Sequence, residues 1–231
     1  MYKEFATVYD QLAGEKEYPK ETAYALSFLG SNPSSILDIG CGTGNHLVEF
    51  RKMTDASLLG IDPCPEMIKQ VTKKSIVDCI STVMPACDPF EGVRGREGTF
   101  DLVTSYFNVI NHIHTLPELV EMFDVTFTNL CSGGVFVFDC WNGAAFFNDP
   151  PVAKSITTPA GNYHYSYPSD DCILNLLDSN IEMEVTLETF EGELVSSKLL
   201  HTLWTPFMLK SLLNSSGFED VKIYKPFSRE E

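Results

Sequence analysis

The chain has 231 residues, with 16 Lys and Arg against 32 Asp and Glu, and a formal net charge of −16 at pH 7. This balance excludes nucleic acid as an expected partner, because a phosphate backbone requires a surface rich in Lys and Arg. The length suits one domain, or one domain carrying a sizeable insertion, and a hydrophobic fraction of 44% supports a packed core. No apolar run approaches the roughly 20 residues of a membrane-spanning helix.

The N-terminus and the cysteines indicate a cytoplasmic protein. The opening sequence MYKEFATVYDQL has no basic region followed by an apolar stretch, so it does not read as a secretory signal. Seven cysteines form an odd set without any Cys-x-x-Cys pair. We therefore expect reduced thiols in the cytoplasm, and neither a disulfide framework nor a metal site.

Short apolar strands alternate with helical patterns through the first 150 residues. Helices are predicted over 19–30, 46–53, 65–73 and 116–130, and strands over 36–39, 57–61, 76–84, 99–105 and 135–138. This alternation predicts an α/β fold with a doubly wound, mostly parallel Rossmann-like sheet.

The pattern changes after residue 150. Strict alternation over 181–188, a turn at Glu191-Gly192 and a return strand over 193–203 predict a small antiparallel sheet, together with a strand over 162–167. A helix over 206–215 and a last strand over 218–224 follow. We therefore divide the chain into a core at 1–150, an inserted sheet at 151–204 that serves as substrate flap or dimer face, and a return to the core at 205–231.

The chemistry is concentrated in the sequence ILDIGCGTGN, in which a buried strand ends at three alternate glycines. Glycines let a ligand approach the backbone, and the following helix N-terminus offers free N–H groups. Asp38 lies inside the strand, where a buried carboxylate requires donors or a cationic ligand. A Gly-x-Gly-x-Gly spacing favours an S-adenosylmethionine site over a dinucleotide site or a plain structural turn.

Asp62 ends the second strand about 20 residues after the glycines. A carboxylate at this place can accept both hydroxyls of a ribose. The alternative is that Asp62 caps the helix that follows Pro63.

Four segments in order, ILDIGCGTGN, GIDPCPEMI, TFDLVTSYFNVINHI and GGVFVFD, resemble the class I S-adenosylmethionine-dependent methyltransferases over residues 5–140. The chain looks most like the branch that N-methylates nucleotide-linked amino sugars. The similar features are Tyr9-Asp10, Glu17-Tyr18, the run from Asn108 to His112, Trp141 and the inserted sheet. That fold usually closes with two final strands, whereas only one is visible here.

The resemblance implies a cofactor site. Asp38 would face the ammonium side of S-adenosylmethionine, Asp62 would bind the ribose, and Tyr9 and Tyr18 would close over the cofactor. The product would be S-adenosylhomocysteine. The other implied cofactor residues are Gly40, Cys41, Gly42, Gly44, Pro63, Met67, Asp88 and Tyr106.

On the substrate side, Phe107 and Asn108 would form the floor near the methyl group. Trp141 would provide an aromatic wall or pack under the inserted sheet, and Arg229 would meet a substrate phosphate or lie in solvent. His112 is the candidate base, with hydrogen bonding to a loop carbonyl as its alternative role. Of the remaining histidines, we expect His46 to pack or cap and His114 to lie at the surface. His164 and His201 should be exposed on the inserted sheet, with contact to a substrate as the alternative for either.

The resemblance favours a methyltransferase for a small acceptor, first an amine of a sugar or sugar nucleotide and then a hydroxyl or carboxylate. The alternatives are a non-catalytic methyltransferase-like module and a nicotinamide-dependent oxidoreductase. An unpaired sheet edge beyond the last strand would favour association, and a homodimer is one arrangement that covers it.

Overall fold

A computed structural model of the chain describes residues 5–13, 16–74, 78–81, 90, 92–146, 152–166 and 179–228. The main sheet has five strands in the order β3-β2-β1-β4-β5, and every neighbouring pair is parallel. The strands are β1 (Ser35–Ile39), β2 (Ser57–Asp62), β3 (Asp78–Ser81), β4 (Phe100–Ser105) and β5 (Leu130–Phe138).

Helices cover both faces of this sheet. One face carries α2 (Tyr18–Leu26), α3 (Asn45–Met53) and α4 (Pro65–Lys73), and the other carries α5 (Leu116–Asn129) and α7 (Pro206–Ser215). The short helices α1 (Tyr9–Leu12) and α6 (Gly143–Phe146) pack with the inserted sheet, and a 3-10 turn lies at Val109–His112. Alternate residues of β1 pack into two apolar clusters, Ile36 with α2, α3 and α4, and Leu37 with α5 and α7. This alternation follows from the two-residue period of a strand, and it buries β1 on both faces.

A second sheet of four antiparallel strands lies between β5 and α7 in the chain. Its strands, in spatial order, are β6 (Lys154–Thr158), β7 (Gly161–Ser166), β8 (Asn180–Thr189) and β9 (Leu194–Thr202). Along β8, Ile181, Val185 and Leu187 are buried while the intervening glutamates are exposed. The predicted fold class, a doubly wound parallel sheet with an inserted antiparallel sheet, is confirmed.

The predicted last strand over 218–224 is wrong, because these residues form no strand. Asp220 has a φ of +53°, which breaks an extended run. Phe218 packs on Phe136 beside α5, whereas Tyr224 packs on Phe28 beyond α2. The segment therefore passes from one face of the sheet to the other, and β5 is the outermost strand on its side among the described residues.

Candidate functional site

Three glycines shape the loop between β1 and α3, with φ values of +75° at Gly40, +53° at Gly42 and +79° at Gly44. A Cβ at Gly40 would overlap Val109, and one at Gly44 would lie 2.8 Å from a methyl group of Val71. A Cβ at Gly42 would meet nothing within 4 Å. The outer two glycines therefore permit close packing, while the central one leaves open space at the tip of the loop.

Asp62 ties this loop to the end of β2. Its Oδ2 accepts a hydrogen bond from the Gly42 N–H at 2.9 Å, and its Oδ1 accepts one from the Cys64 N–H at 2.8 Å. Burial raises the pKa of this carboxyl, although the two backbone donors oppose that shift. Helix α4 has Cys64 as its N-cap and no side-chain cap bond, so the helix-capping alternative for Asp62 is wrong.

Asp38 presents a buried carboxylate oxygen that needs a donor. The residue is 1% exposed, and its Oδ1 accepts a hydrogen bond from Thr104 Oγ1 at 2.8 Å. Its Oδ2 has no hydrogen-bond partner among the described residues. Burial raises the pKa of Asp38 to about 6, although the hydrogen bond from Thr104 and the nearby Lys16 act to lower it. A buried oxygen of this kind is costly unless a ligand or water donates to it.

Lys16 is a residue of this site that the sequence reasoning missed. Its Nζ lies 3.5 Å from Glu21 Oε2, 4.0 Å from Asp139 Oδ2 and 4.0 Å from the centre of the Phe107 ring. Its side chain is only 12% exposed, so the ammonium is largely withdrawn from solvent beside these two carboxylates. The one available signal was its position directly before Glu17-Tyr18.

Two of the predicted tyrosines surround His46. The His46 ring stacks on Tyr106, with centroids 4.6 Å apart, and meets Tyr18 edge-on at 4.9 Å. His46 Nε2 lies 2.6 Å from Glu21 Oε2, and the Tyr106 hydroxyl donates to the Glu21 carbonyl. The packing role expected for His46 is confirmed, and this cluster joins α2, α3 and the end of β4.

The chain is strained just beyond β4, where Phe107 and Asn108 have φ values of +69° and +60°. Such backbone in residues other than glycine costs energy and is typical of functional sites. The Asn108 N–H donates to Asp139 Oδ1 at 2.6 Å, which holds the turn against the end of β5. The turn leaves the Phe107 ring half-exposed, edge-on to Tyr9 at 6.2 Å.

His112 belongs to a row of neighbouring aromatic rings under the inserted sheet. Its ring lies 4.5 Å from that of His201, which in turn stacks on Trp141 at 4.5 Å. Trp141 stacks on Phe146 at 5.8 Å. The prediction that His201 is exposed is wrong, since this residue is only 3% exposed. The reason is that the last residues of β9 are buried. A backbone hydrogen bond between His112 and Leu200 is consistent with the alternative role of His112.

Asn111 joins the same region to the main sheet. Its side chain donates to the Thr202 carbonyl at 2.7 Å and accepts from the Trp141 N–H at 2.9 Å. His114 is also half-buried, with its Nδ1 3.3 Å from Thr202 Oγ1, so its expected surface position is wrong. His164 is exposed as expected.

The remaining predicted residues fall into three groups. The Cys41 side chain is buried in the apolar cluster with α3 and α4, and Met67 is buried in α4. Pro63 is exposed beside Asp62. Asp88 and Arg229 lie outside the described residues.

Burial of His112 and His201 makes the stability of the protein depend on pH. It lowers the pKa of His112 to about 4 and that of His201 to about 3, and the neighbouring His114 adds to both shifts. Both rings are therefore neutral at pH 7 in the folded protein, whereas in the unfolded chain they titrate near 6.5. Their contribution to stability is fully present above about pH 6.5 and is lost as the pH falls toward 4.

We expect His201→Phe, which keeps a stacked ring, to reduce this acid sensitivity. The loss of unfolding free energy between pH 7.5 and pH 5 should become about 2 kcal/mol smaller than in the wild type. Urea unfolding at both pH values measures it, with the exposed His164→Phe as the control. An unchanged pH dependence would show that His201 does not titrate as a buried neutral ring.

Known proteins are similar to this chain over the elements that form the glycine loop and its surroundings. A family model described as "Methyltransferase domain" matches residues 36–134, from β1 through the glycine loop to β5. These residues are therefore similar to a methyltransferase domain. They include the loop, Asp38 and Asp62, and the resemblance stated from the sequence motifs is confirmed.

Two curated relatives and one solved structure extend this result. The chain is 27% identical to YqeM of Bacillus subtilis (strain 168), to which a methyltransferase activity is ascribed, over 139 residues that make up 60% of this chain and 55% of that protein. The second relative is the dTDP-3-amino-3,4,6-trideoxy-alpha-D-glucopyranose N,N-dimethyltransferase of Streptomyces venezuelae. The two chains are 28% identical over 167 residues, which make up 70% of this chain and 68% of that enzyme. An S-adenosylmethionine-dependent methyltransferase structure from Clostridium acetobutylicum ATCC 824 aligns with 100% of this chain and 93% of its own, with a TM-score of 0.76 at 17% identity.

The residues of the site fit the cofactor of this class. The unpartnered Asp38 oxygen can accept a hydrogen bond from a cationic ligand group, and no protein atom lies within 4 Å of a Cβ built at Gly42. No helix among the described residues combines the length and apolar character that a membrane span requires.

Proposed function

We propose that this protein transfers a methyl group from S-adenosylmethionine to an amino group of a sugar or sugar nucleotide. The observation that carries the cofactor part is the buried Asp38 oxygen without a donor, beside the glycine loop. The acceptor part rests on the likeness to the amino sugar N,N-dimethyltransferase and on the inserted sheet next to the site.

The roles proposed for the cofactor residues follow from their chemistry. Asp38 accepts from the ammonium of the methionine part, Lys16 pairs with its carboxylate, and Asp62 accepts from the ribose hydroxyls. Asp62 can do so while it binds the loop, since each carboxylate oxygen has a second lone pair. Tyr9 and Tyr18 cover the site, and Pro63, Met67 and Asp88 are assigned to the adenine end. The loop residues Gly40, Cys41, Gly42 and Gly44 are proposed to contact the cofactor through their backbone groups.

When bound, S-adenosylmethionine supplies a methyl group that is already activated by its sulfonium. The protein therefore has to position the acceptor amine and keep its lone pair free. His112 is proposed to accept a hydrogen bond from this amine. Its pKa of about 4 keeps the ring neutral at pH 7 but makes it a weak proton sink, so orientation of the lone pair is its main contribution.

The substrate side of the proposal uses the turn after β4 and the stacked rings. Phe107 and Asn108 provide the floor, and Trp141 provides a wall at the inserted sheet. Tyr106, which directly precedes this floor, is assigned to the cofactor side. Arg229 is proposed to meet the phosphate of a sugar nucleotide.

Three wider proposals rest on the composition and the topology. The excess of acidic residues argues against a nucleic-acid partner, and the odd number of cysteines without a Cys-x-x-Cys pair argues for the cytoplasm. The outer edge of β5 favours a homodimer in which a second copy covers it.

Asp38→Asn should weaken cofactor binding without lowering the stability of the folded protein. The change removes the charge that would attract the ammonium, so affinity for S-adenosylmethionine should fall by about 10- to 100-fold. Because the folded pKa of Asp38 is raised from 3.8 to about 6, ionisation costs stability as the pH rises through that window. Unfolding free energy at pH 7 should therefore stay level or rise, by at most about 3 kcal/mol. Calorimetric titration and urea unfolding measure the two effects, and unchanged affinity would remove Asp38 from the site.

The acceptor is tested by incubating the protein with S-adenosylmethionine and matched sugar nucleotides. A dTDP-linked amino sugar is compared with the same sugar carrying a hydroxyl in place of the amine. Mass spectrometry should show a methyl group on the amino sugar alone. Methylation of the hydroxyl sugar would replace the proposal by O-methylation, and cofactor binding without transfer to a broad set of small acceptors would favour a binding module.

A further inference from the structure

Residues 5–13, which we call the N-terminal strap, contact three separate parts of the molecule. Phe5 is buried in the core of the inserted sheet with Val185 and Leu187, and it meets Tyr163 edge-on at 6.3 Å. At its centre, Tyr9 lies edge-on to Phe107 beyond β4. Asp10 reaches the glycine loop. The strap thus connects the inserted sheet to the loop at which the cofactor is proposed to bind.

Asp10 is held by a compact group of polar side chains. Its Oδ1 accepts hydrogen bonds from Thr43 Oγ1 and from Asn45 Nδ2, the latter at 3.0 Å. Its Oδ2 lies 2.9 Å from the Nζ of Lys74. Burial alone would raise the pKa of Asp10, but Thr43 and Lys74 together lower it below its usual value. The carboxylate is therefore ionised and paired at neutral pH.

Lys74 joins the strap, the loop and α3 through one ammonium group. Besides Asp10, its Nζ donates to the Thr43 carbonyl at 2.8 Å and to Asn45 Oδ1 at 2.6 Å. Lys74 is itself the C-cap residue of α4, the helix whose Val71 packs against Gly44. Three elements of the cofactor site thus converge on a single cation.

The strap cannot hold this position by its own helical structure. Its α-helix, α1, has four residues, and helices so short are unstable in isolation because nucleation is unfavourable. Its place must therefore come from its contacts, which are apolar at Phe5 and ionic at Asp10. Loss of either contact should release the segment.

We propose that Asp10 and Lys74 are positioning residues that lock the strap over the cofactor loop, so that cofactor exchange requires this ion pair to open. The inference rests on the proposed function, in that the loop binds S-adenosylmethionine. Because Phe5 anchors the same strap in the inserted sheet, the lock also links the cofactor loop to the sheet under which the acceptor is proposed to bind.

The test compares Asp10→Asn, Lys74→Met and the double variant with the wild type. Dissociation of S-adenosylhomocysteine, followed by stopped-flow fluorescence, should become about five- to tenfold faster in each single variant, a modest factor because the pair is partly exposed. The double variant should be no faster than the singles, since both changes remove one interaction. Lys74→Arg keeps the positive charge, so its dissociation rate should lie between those of the wild type and Lys74→Met. The control is Lys73→Met, which removes a neighbouring ammonium bonded only to Gln70 in the described structure.

Hydrogen exchange of the cofactor-free protein gives a second readout. Residues 6–13 should lose protection in Asp10→Asn and Lys74→Met, and keep it in Lys73→Met. Unchanged protection and unchanged dissociation in both variants would overturn the lock, as would additive effects in the double variant. If the wild type bound no S-adenosylhomocysteine while strap protection still responded to the variants, the proposed function would fail and the lock would stand as a structural contact.

Discussion

Replacing Asp62 with alanine should weaken S-adenosylmethionine binding by at least about a hundredfold. The carboxylate is proposed to accept two ribose hydroxyls, and each hydrogen bond to a charged group contributes roughly 1.5–3 kcal/mol. The same change leaves the N–H groups of Gly42 and Cys64 without their acceptor, which loosens the loop as well. Both effects act in one direction, so this is the largest effect on affinity that we expect from a single substitution.

Two controls separate these contributions. Asp62→Asn keeps one acceptor oxygen for the backbone and should lose less affinity than the alanine variant. Asp55→Ala removes an exposed carboxylate near the opposite end of β2 and should change nothing. Calorimetric titration with S-adenosylhomocysteine measures all three variants below their melting temperatures. Wild-type affinity in Asp62→Ala would mean that Asp62 only ties the loop to β2.

Replacing His112 should lower kcat by about a hundredfold, because a misoriented acceptor can cost that much, with little change in cofactor affinity. His112→Ala removes the hydrogen-bond acceptor but also opens a space beside His201. His112→Phe keeps an aromatic ring while removing both nitrogens, so it isolates the chemical role. His114→Ala, which alters the adjacent half-buried histidine, is the control.

The pH dependence gives an independent check on His112. A neutral ring is needed to accept a hydrogen bond, and its pKa of about 4 means that it stays neutral from pH 6 to 9. The activity of His112 variants relative to the wild type should therefore be constant in that range. Full kcat in His112→Phe would mean that His112 has no role in the reaction. Its only roles in the wild type would then be packing and the backbone bond to Leu200.

The core of the site was predictable because its signals are local. The glycines at 40, 42 and 44, the buried Asp38 and the terminal Asp62 all lie within or next to strands whose apolar runs identify them. The strands β1, β2, β4 and β8 were placed for the same reason. Strand β6 was not identified, because its sequence KSITT lacks a regular alternation of apolar residues.

What the sequence could not predict depends on contacts between distant residues. The place of Lys16 among Glu21, Asp139 and Phe107 depends on three different elements. The burial of His201 depends on how β9 packs against the 3-10 turn. The wrong prediction of a last strand arose from apolar residues that pack on both faces of the sheet rather than in a ladder.

Calorimetric titration with S-adenosylmethionine and S-adenosylhomocysteine, with NAD as the control, tests the central claim most directly. The loop geometry and the unpartnered Asp38 oxygen predict micromolar binding of both sulfur compounds, release of protons when Asp38 gains a cationic partner near pH 6, and no binding of NAD. Binding of NAD alone, or of none of the three, would contradict the assignment of this loop as an S-adenosylmethionine site.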